Sequence, residues 1–195
     1  MIIQHRVNSI RELEAVPFKY GVEVDLRSSG SEIICAHDPF LEAEKFSDWI
    51  RAFNHRGLIA NIKSEGIEKE VLKIISDNKI KNFFLLDVTF PMIYQLHEFP
   101  VNNFAYRVSD LESFNLHGFS KVKCSWIWLD AFERFPLNQY QNIIQANLPN
   151  IKICLVSPEL HTNRNKNTSE RIFKEIKSLG YNFDAICTKD PLLWQ

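Results

Sequence analysis

Gly21-Val22-Glu23-Val24-Asp25-Leu26-Arg27, then Ser28-Ser29-Gly30, then Glu32-Ile33-Ile34-Cys35-Ala36-His37-Asp38, is the stretch whose reading decides the fold. The first run is apolar at alternate positions and carries two carboxylates between them, the pattern of a strand buried on both faces with a polar site on one. Ser28 to Gly30 is turn chemistry, and Glu32 to Ala36 reads as a short return strand, so a hairpin extends the first run.

Outward from this stretch, further short apolar runs recur along the chain. Ile2 to His5, Gly57 to Ile62, Asn82 to Leu86, Phe104 to Val108, Cys124 to Leu129, Ile151 to Val156 and Phe183 to Cys187 read as strands, and with Gly21 to Leu26 they make eight. Amphipathic segments lie between them. Ser9 and Glu12 form a capping-box pattern ahead of Leu13 and Val16. Phe46, Trp49, Ile50 and Phe53 repeat at helical spacing, as do Ile67, Val71, Ile74 and Ile75. Thr89 heads a helix with Ile93 and Leu96 that stops before Pro100; Ile172, Phe173, Ile176 and Leu179 form another apolar face, with Gly180 as its terminator. Leu111 to Phe119 has room for a short turn of helix, and Thr162 to Thr168 reads as a mobile loop.

Strand–helix alternation implies a parallel sheet. Eight strands with about seven helices predict an α/β fold, a compact (β/α)8 TIM barrel over residues 1–195 with a small β-hairpin insertion after strand 2. An open doubly wound sheet is the alternative, but the chain has six glycines and neither a dinucleotide fingerprint nor a P-loop.

Composition narrows the function classes. Twenty-three Lys and Arg against 24 Asp and Glu leave a formal charge of −1, which gives no footprint for nucleic acid or an anionic membrane. No apolar stretch approaches the roughly 20 residues of a membrane-spanning helix, and Met1 to Arg6 lacks a signal-peptide layout. Cys35, Cys124, Cys154 and Cys187 lie in apolar runs and form no C-x-x-C pair, so they read as buried thiols in a reducing compartment. A cytoplasmic location and a small-molecule partner are the expectations.

The strand ends of such a barrel carry the chemistry. Here they bear His5, Arg6, Glu23, Asp25, Arg27, His37, Asp38, Asn61, Lys63, Asp87, Arg107, Trp128, Asp130, Glu159 and Lys189. Unpaired, each polar group would cost several kcal/mol to desolvate. Glu23 and Asp25 project to one face, where their repulsion is relieved by a divalent cation or by a salt bridge to Arg27 or Lys63. His5 and His37 titrate near neutrality and are candidate acid and base. His55, His97, His117 and His161 read as surface residues.

Taken in order, His5-Arg6, Glu23-Val24-Asp25, Ala36-His37-Asp38-Pro39 and Asn61-Ile62-Lys63, with a closing Phe183-Asp184-Ala185-Ile186-Cys187-Thr188-Lys189-Asp190-Pro191, resemble the signature of the glycerophosphodiester phosphodiesterase family within the phospholipase C-like TIM-barrel superfamily. Two departures accompany the likeness: Val7 and Asn8 follow the H-R pair in place of the usual glycine, and Asn61 stands where the family has an acidic metal ligand. The resemblance implies phosphodiester hydrolysis assisted by Mg2+ or Ca2+ at Glu23, Asp25 and Asn61. His5, His37, Arg6 and Lys63 are then the catalytic residues. Arg107, Trp128 and Glu159 are expected at the substrate, and a glycan-related substrate, of the kind met in bacterial surface-polysaccharide pathways, is also implied. The alternative is a non-catalytic barrel that binds a phosphorylated glycan or lipid headgroup, motivated by the carboxylate lost at Asn61.

Overall fold

The eight apolar runs all form strands. In the computed structural model, which describes every residue except 97–101, 123, 149, 162–165 and 181–182, they are β1 (Ile2–Gln4), β2 (Gly21–Ser29), β4 (Leu58–Ile62), β5 (Phe83–Leu86), β6 (Ala105–Val108), β7 (Trp126–Leu129), β8 (Lys152–Val156) and β9 (Ala185–Thr188), with the hairpin strand β3 (Glu32–Cys35). The helices between them are α1 (Ile10–Ala15), α2 (Phe46–Ala52), α3 (Glu68–Asp77), α4 (Phe90–Gln95), α5 (Leu116–Phe119), α6 (Leu137–Gln145) and α7 (Lys166–Leu179). The expectations for His97, for a stop at Pro100 and for a loop over 162–165 lie outside the described residues. Lys166 to Thr168, expected in that loop, are the first residues of α7.

Strand order is β5-β4-β2-β1-β9-β8-β7-β6, with β3 paired antiparallel to β2 off that path. The other registers described run parallel. This is the (β/α)8 pattern with one hairpin inserted after the second barrel strand.

The chain divides into two compact units: Ile3–Phe90, and Met1–Ile2 with Pro91–Gln195. In the first, β2 is the central strand. Val22, Val24 and Leu26 point to one side of it with no measurable exposure, and Glu23 and Asp25 to the other, 0% and 1% exposed. Its start is tightly packed: a Cβ on Gly21 would lie 3.0 Å from the Gly57 carbonyl oxygen and 3.1 Å from Ile3 Cγ1, so only glycine fits without movement. At the other end Gly30 adopts φ +60°, the left-handed conformation that lets the hairpin turn. Helix α1 is held by the expected capping box: Glu12 N–H donates to Ser9 Oγ, and the Ser9 N–H donates to the Glu12 carboxylate. Phe46, Trp49 and Ile50 of α2 are buried, and the Phe46 ring stacks on Trp49 and Trp49 on Phe53.

His55 belongs to this core and not to the surface. It is 8% exposed, its Nε2 donates to the Val16 carbonyl at 2.9 Å, and its ring meets Phe18 and Phe53. The loop between α2 and β4 is roofed by aromatic rings, which its local sequence does not show.

In the second unit β6 to β9 are similarly apolar, with Ile127, Leu129, Cys154, Leu155, Ala185 and Cys187 at 1% exposure or less. All four cysteines are buried free thiols, and burial pushes the Cys35 and Cys124 thiols up, away from thiolate reactivity. Among the described residues, no helix is long and apolar enough to cross a membrane.

Candidate functional site

The polar face of β2 organises the site of the first unit. Because β2 and β4 are parallel with Asp25 opposite Asn61, the two side chains fall on one face. Asn61 Nδ2 donates to Glu23 Oε1 at 2.8 Å and lies 3.3 Å from Asp25 Oδ1. Lys63, one turn of the pleat further, places Nζ 3.7 Å from Asp25 Oδ1 and 2.9 Å from Asp87 Oδ2 at the end of β5.

The end of β1 closes the other side. His5 Nε2 lies 3.8 Å from Glu23 Oε2. Arg6 holds φ +56°, uncommon for a residue with a Cβ, and in that conformation its backbone N–H donates to Glu23 Oε2 at 2.6 Å while the Val7 N–H donates to the Glu23 carbonyl at 2.7 Å. Conformations of this kind cost about 1–3 kcal/mol and persist where surrounding bonds over-determine them. The Arg6 guanidinium lies 3.6 Å from Asp25 Oδ2. Asn8 completes the cage: its Nδ2 donates to Asp25 Oδ2 and its Oδ1 accepts from the Asp25 backbone N–H, both at 2.9 Å. Asn8 appears in the sequence only as a departure from a motif; its role follows from the turn after β1, which no local pattern reports.

The electrostatics is that of a site short of positive charge. Burial, and then the neighbouring Asp25, push the Glu23 carboxyl well above the usual carboxylate range against the lowering effect of Asn61, the Arg6 N–H and Lys63. A hard divalent cation fits this donor set. Asn61 Oδ1 is buried and accepts no hydrogen bond, and turning the amide over would bring that oxygen to face Glu23 Oε1 and Asp25 Oδ1. Among the described residues, no group of three or more His, Cys, Asp or Glu side chains is arranged to hold a metal ion.

His37 follows the hairpin. Its Nδ1 is 2.7 Å from Asp38 Oδ1, and its carbonyl accepts from the Arg27 guanidinium at 2.8 Å. The Asp38 carboxyl is held below its ordinary range, chiefly by the hydrogen bond with His37, with Arg6 and Arg27 adding to it.

The expected substrate residues lie in the second unit. Arg107 NH1 is 3.4 Å from Asp130 Oδ2. Trp128 is 4% exposed on β7, in register with Arg107 of β6. The Glu159 carboxylate ties its loop to the end of β9: it accepts from Thr188 Oγ1 at 2.5 Å, from the Lys189 N–H at 3.1 Å, and from Ser157 Oγ. A cavity of about 330 Å3 opens beside it, lined by Pro158, Phe173, Lys174 and Leu193 among others, but it holds none of the acid–base residues. His161, expected at the surface, is instead bonded through Nε2 to Asp130 Oδ1 at 2.5 Å. His117 is exposed as expected.

No protein-family model and no curated protein sequence matches the chain. Solved structures do. A glycerophosphodiester phosphodiesterase from Thermotoga maritima is 14% identical with a TM-score of 0.69, over 96% of this chain and 93% of that one. A glycerophosphoryl diester phosphodiesterase from Parabacteroides distasonis is 14% identical with a TM-score of 0.70, over 99% of this chain and 84% of that one. A glycerophosphodiester phosphodiesterase from Agrobacterium tumefaciens is 13% identical with a TM-score of 0.65, over 99% and 97%. The chain has the fold of the glycerophosphodiester phosphodiesterases.

Proposed function

We propose that the protein hydrolyses a phosphodiester of glycerophosphodiester type, with His5 and His37 as an acid–base pair. The observation that carries this reading is the buried pair Glu23 and Asp25, ringed by His5, Arg6, Asn61 and Lys63. A scaffold has no use for a buried carboxylate pair flanked by that set of donors. Glu23, Asp25 and Asn61 are the residues that would hold Mg2+ or Ca2+, which when bound neutralises phosphate charge and acidifies a nearby hydroxyl.

The chain's own groups divide the remaining work. His5 takes the proton of an attacking hydroxyl as its oxygen bonds to phosphorus. His37, whose Nδ1 is engaged by Asp38, gives a proton to the alkoxide released as the second P–O bond breaks. Arg6 and Lys63, already among the carboxylates, offset charge on the phosphoryl oxygens. A glycan-bearing diester and a cytoplasmic setting are part of the same proposal.

A binding module is the second reading, favoured by Asn61, whose amide already satisfies the carboxylates in part. One experiment separates them: incubation with a panel of glycerophosphodiesters and phosphorylated glycans, with Mg2+, Ca2+ or chelator. Divalent-dependent release of an alcohol supports the enzyme. Saturable binding without cleavage under every condition supports the module and overturns the hydrolase.

A further inference from the structure

The cavity beside Glu159 lies wholly within the second unit, and the proposed chemistry leaves it unused. Its volume of about 330 Å3 is near the small end of ligand pockets, which run from about 300 to 1,000 Å3. Three pieces of chain wall it: the turn Pro158–Leu160 after β8, the helix α7, and the turn Pro191–Trp194 after β9. Each piece is tied to another. Ser169 Oγ donates to the Pro158 carbonyl at 3.3 Å, Trp194 Nε1 donates to Ser157 Oγ at 2.8 Å, and the Trp194 ring meets Phe173 edge-on at 5.0 Å. The chain itself therefore fixes the walls, and little ordering opposes binding.

The cavity is apolar inside and basic at its rim. Pro158, Phe173 and Leu193 face it with carbon. The polar groups beside them are occupied: the Ser169 hydroxyl by Pro158, the Glu159 carboxylate by Thr188, Lys189 and Ser157. Glu170 has an interaction of its own. Lys174 lines the cavity and is exposed, the arrangement in which a lysine lays its stem along apolar surface and keeps its ammonium in water. One turn on, Lys177 Nζ lies 5.3 Å from the Phe173 ring centroid and 4.7 Å from that of Trp194. Leu193 is 41% exposed and Leu192 beside it 76%, so apolar surface continues out of the mouth.

We propose that this cavity binds a single-chain fatty acid, with the alkyl chain between Pro158, Phe173 and Leu193 and the carboxylate beside Lys174 and Lys177. Two ammonium groups at one edge of an apolar hollow match an anionic head on an apolar tail. A sugar would lose its hydration to walls that return few hydrogen bonds. The small volume suits one medium-length chain and not the paired chains of a bilayer lipid.

The test is calorimetric titration of the full chain with two probes of equal tail and opposite charge, decanoate and decyltrimethylammonium. Decanoate should saturate one site. Decyltrimethylammonium should bind at least about fivefold more weakly, a modest ratio because an exposed ion pair is worth little and only its sign is reversed. Lys174→Gln should shrink that ratio toward one. Leu193→Ser, at a half-exposed position where folding is little affected, should weaken decanoate about tenfold through lost apolar contact. The proposal is overturned if decanoate shows no saturable binding, if the two probes bind alike, or if folded Leu193→Ser binds decanoate as tightly as wild type. Neither probe contains a phosphodiester, so the outcome is independent of what the first unit cleaves.

Discussion

Asn61 Nδ2 donates to Glu23 Oε1 at 2.8 Å, so a neutral amide stands against a fully buried carboxylate where a full positive charge would serve better. Replacing that amide by a third carboxylate tests what the position is for. Asn61→Asp should lower stability in chelator by about 2 kcal/mol or more, because the amide that donates to Glu23 is replaced by a buried carboxylate beside two others. Added Ca2+ or Mg2+ should restore that loss, since a ligand at a hundred times its Kd stabilises by about 2.7 kcal/mol. Denaturant unfolding with and without the ion, together with calorimetric titration, reads both effects. An Asn61→Asp protein indifferent to divalent ions would refute a metal role for Glu23 and Asp25.

The histidine assignment makes a kinetic statement. Acid–base catalysis by a placed side chain is typically worth about 10²–10⁴-fold, so His5→Ala and His37→Ala should each remove most turnover and leave KM little changed. The double variant should lose far less than the product of the single losses, because the residues act as one unit. Full turnover in His5→Ala would reassign the base, with Asp87, 2.9 Å from Lys63, the next candidate.

Acid stability should show the mark of Asp110. Burial raises its carboxyl, but the backbone N–H groups of Phe132, Glu133 and Arg134 that donate to it win, and the net shift is downward from 3.8. An acid whose folded value lies below its unfolded one contributes stability that is present above pH 3.8 and is lost as pH falls through the folded value. Asp110→Asn should therefore unfold more easily at pH 7, by about 0.5–1 kcal/mol for bonds to a largely solvent-screened carboxylate, and the gap to wild type should close below pH 3.8. A gap that stays constant from pH 7 to pH 3 would show that the carboxylate charge contributes nothing there.

How much of this was legible follows from the range of each interaction. The strands were readable because each is a short, mostly apolar run, and Glu23 and Asp25 stood out as charges within β2. Their convergence with Asn61 needed only parallel register. The missed residues depend on distant partners: His161 meets Asp130 across 31 positions and His55 meets Val16 across 39. No periodicity reports such a pairing. A strand-end aromatic such as Trp128 looks the same in sequence whether it faces a ligand or fills the core; in the structure it is 4% exposed.

Lys63 offers the sharpest separation of structure from chemistry. Its Nζ bonds Asp87 at 2.9 Å and lies 3.7 Å from Asp25, with 17% of the side chain exposed. Lys63→Met should cost about 1.5–3 kcal/mol, since a charge-assisted hydrogen bond is lost and two acids keep their charge without it. Adding Asp87→Asn removes one of those acids, so the double variant should recover much of the stability. Turnover decides the rest. If Lys63 acts on the phosphoryl group, the double variant stays as slow as Lys63→Met although it is as stable as wild type. If activity returns with stability, Lys63 only holds the strand ends together and its catalytic role is refuted. Stability from denaturant unfolding and kcat on the cleaved diester, measured on the same preparations, distinguish the two.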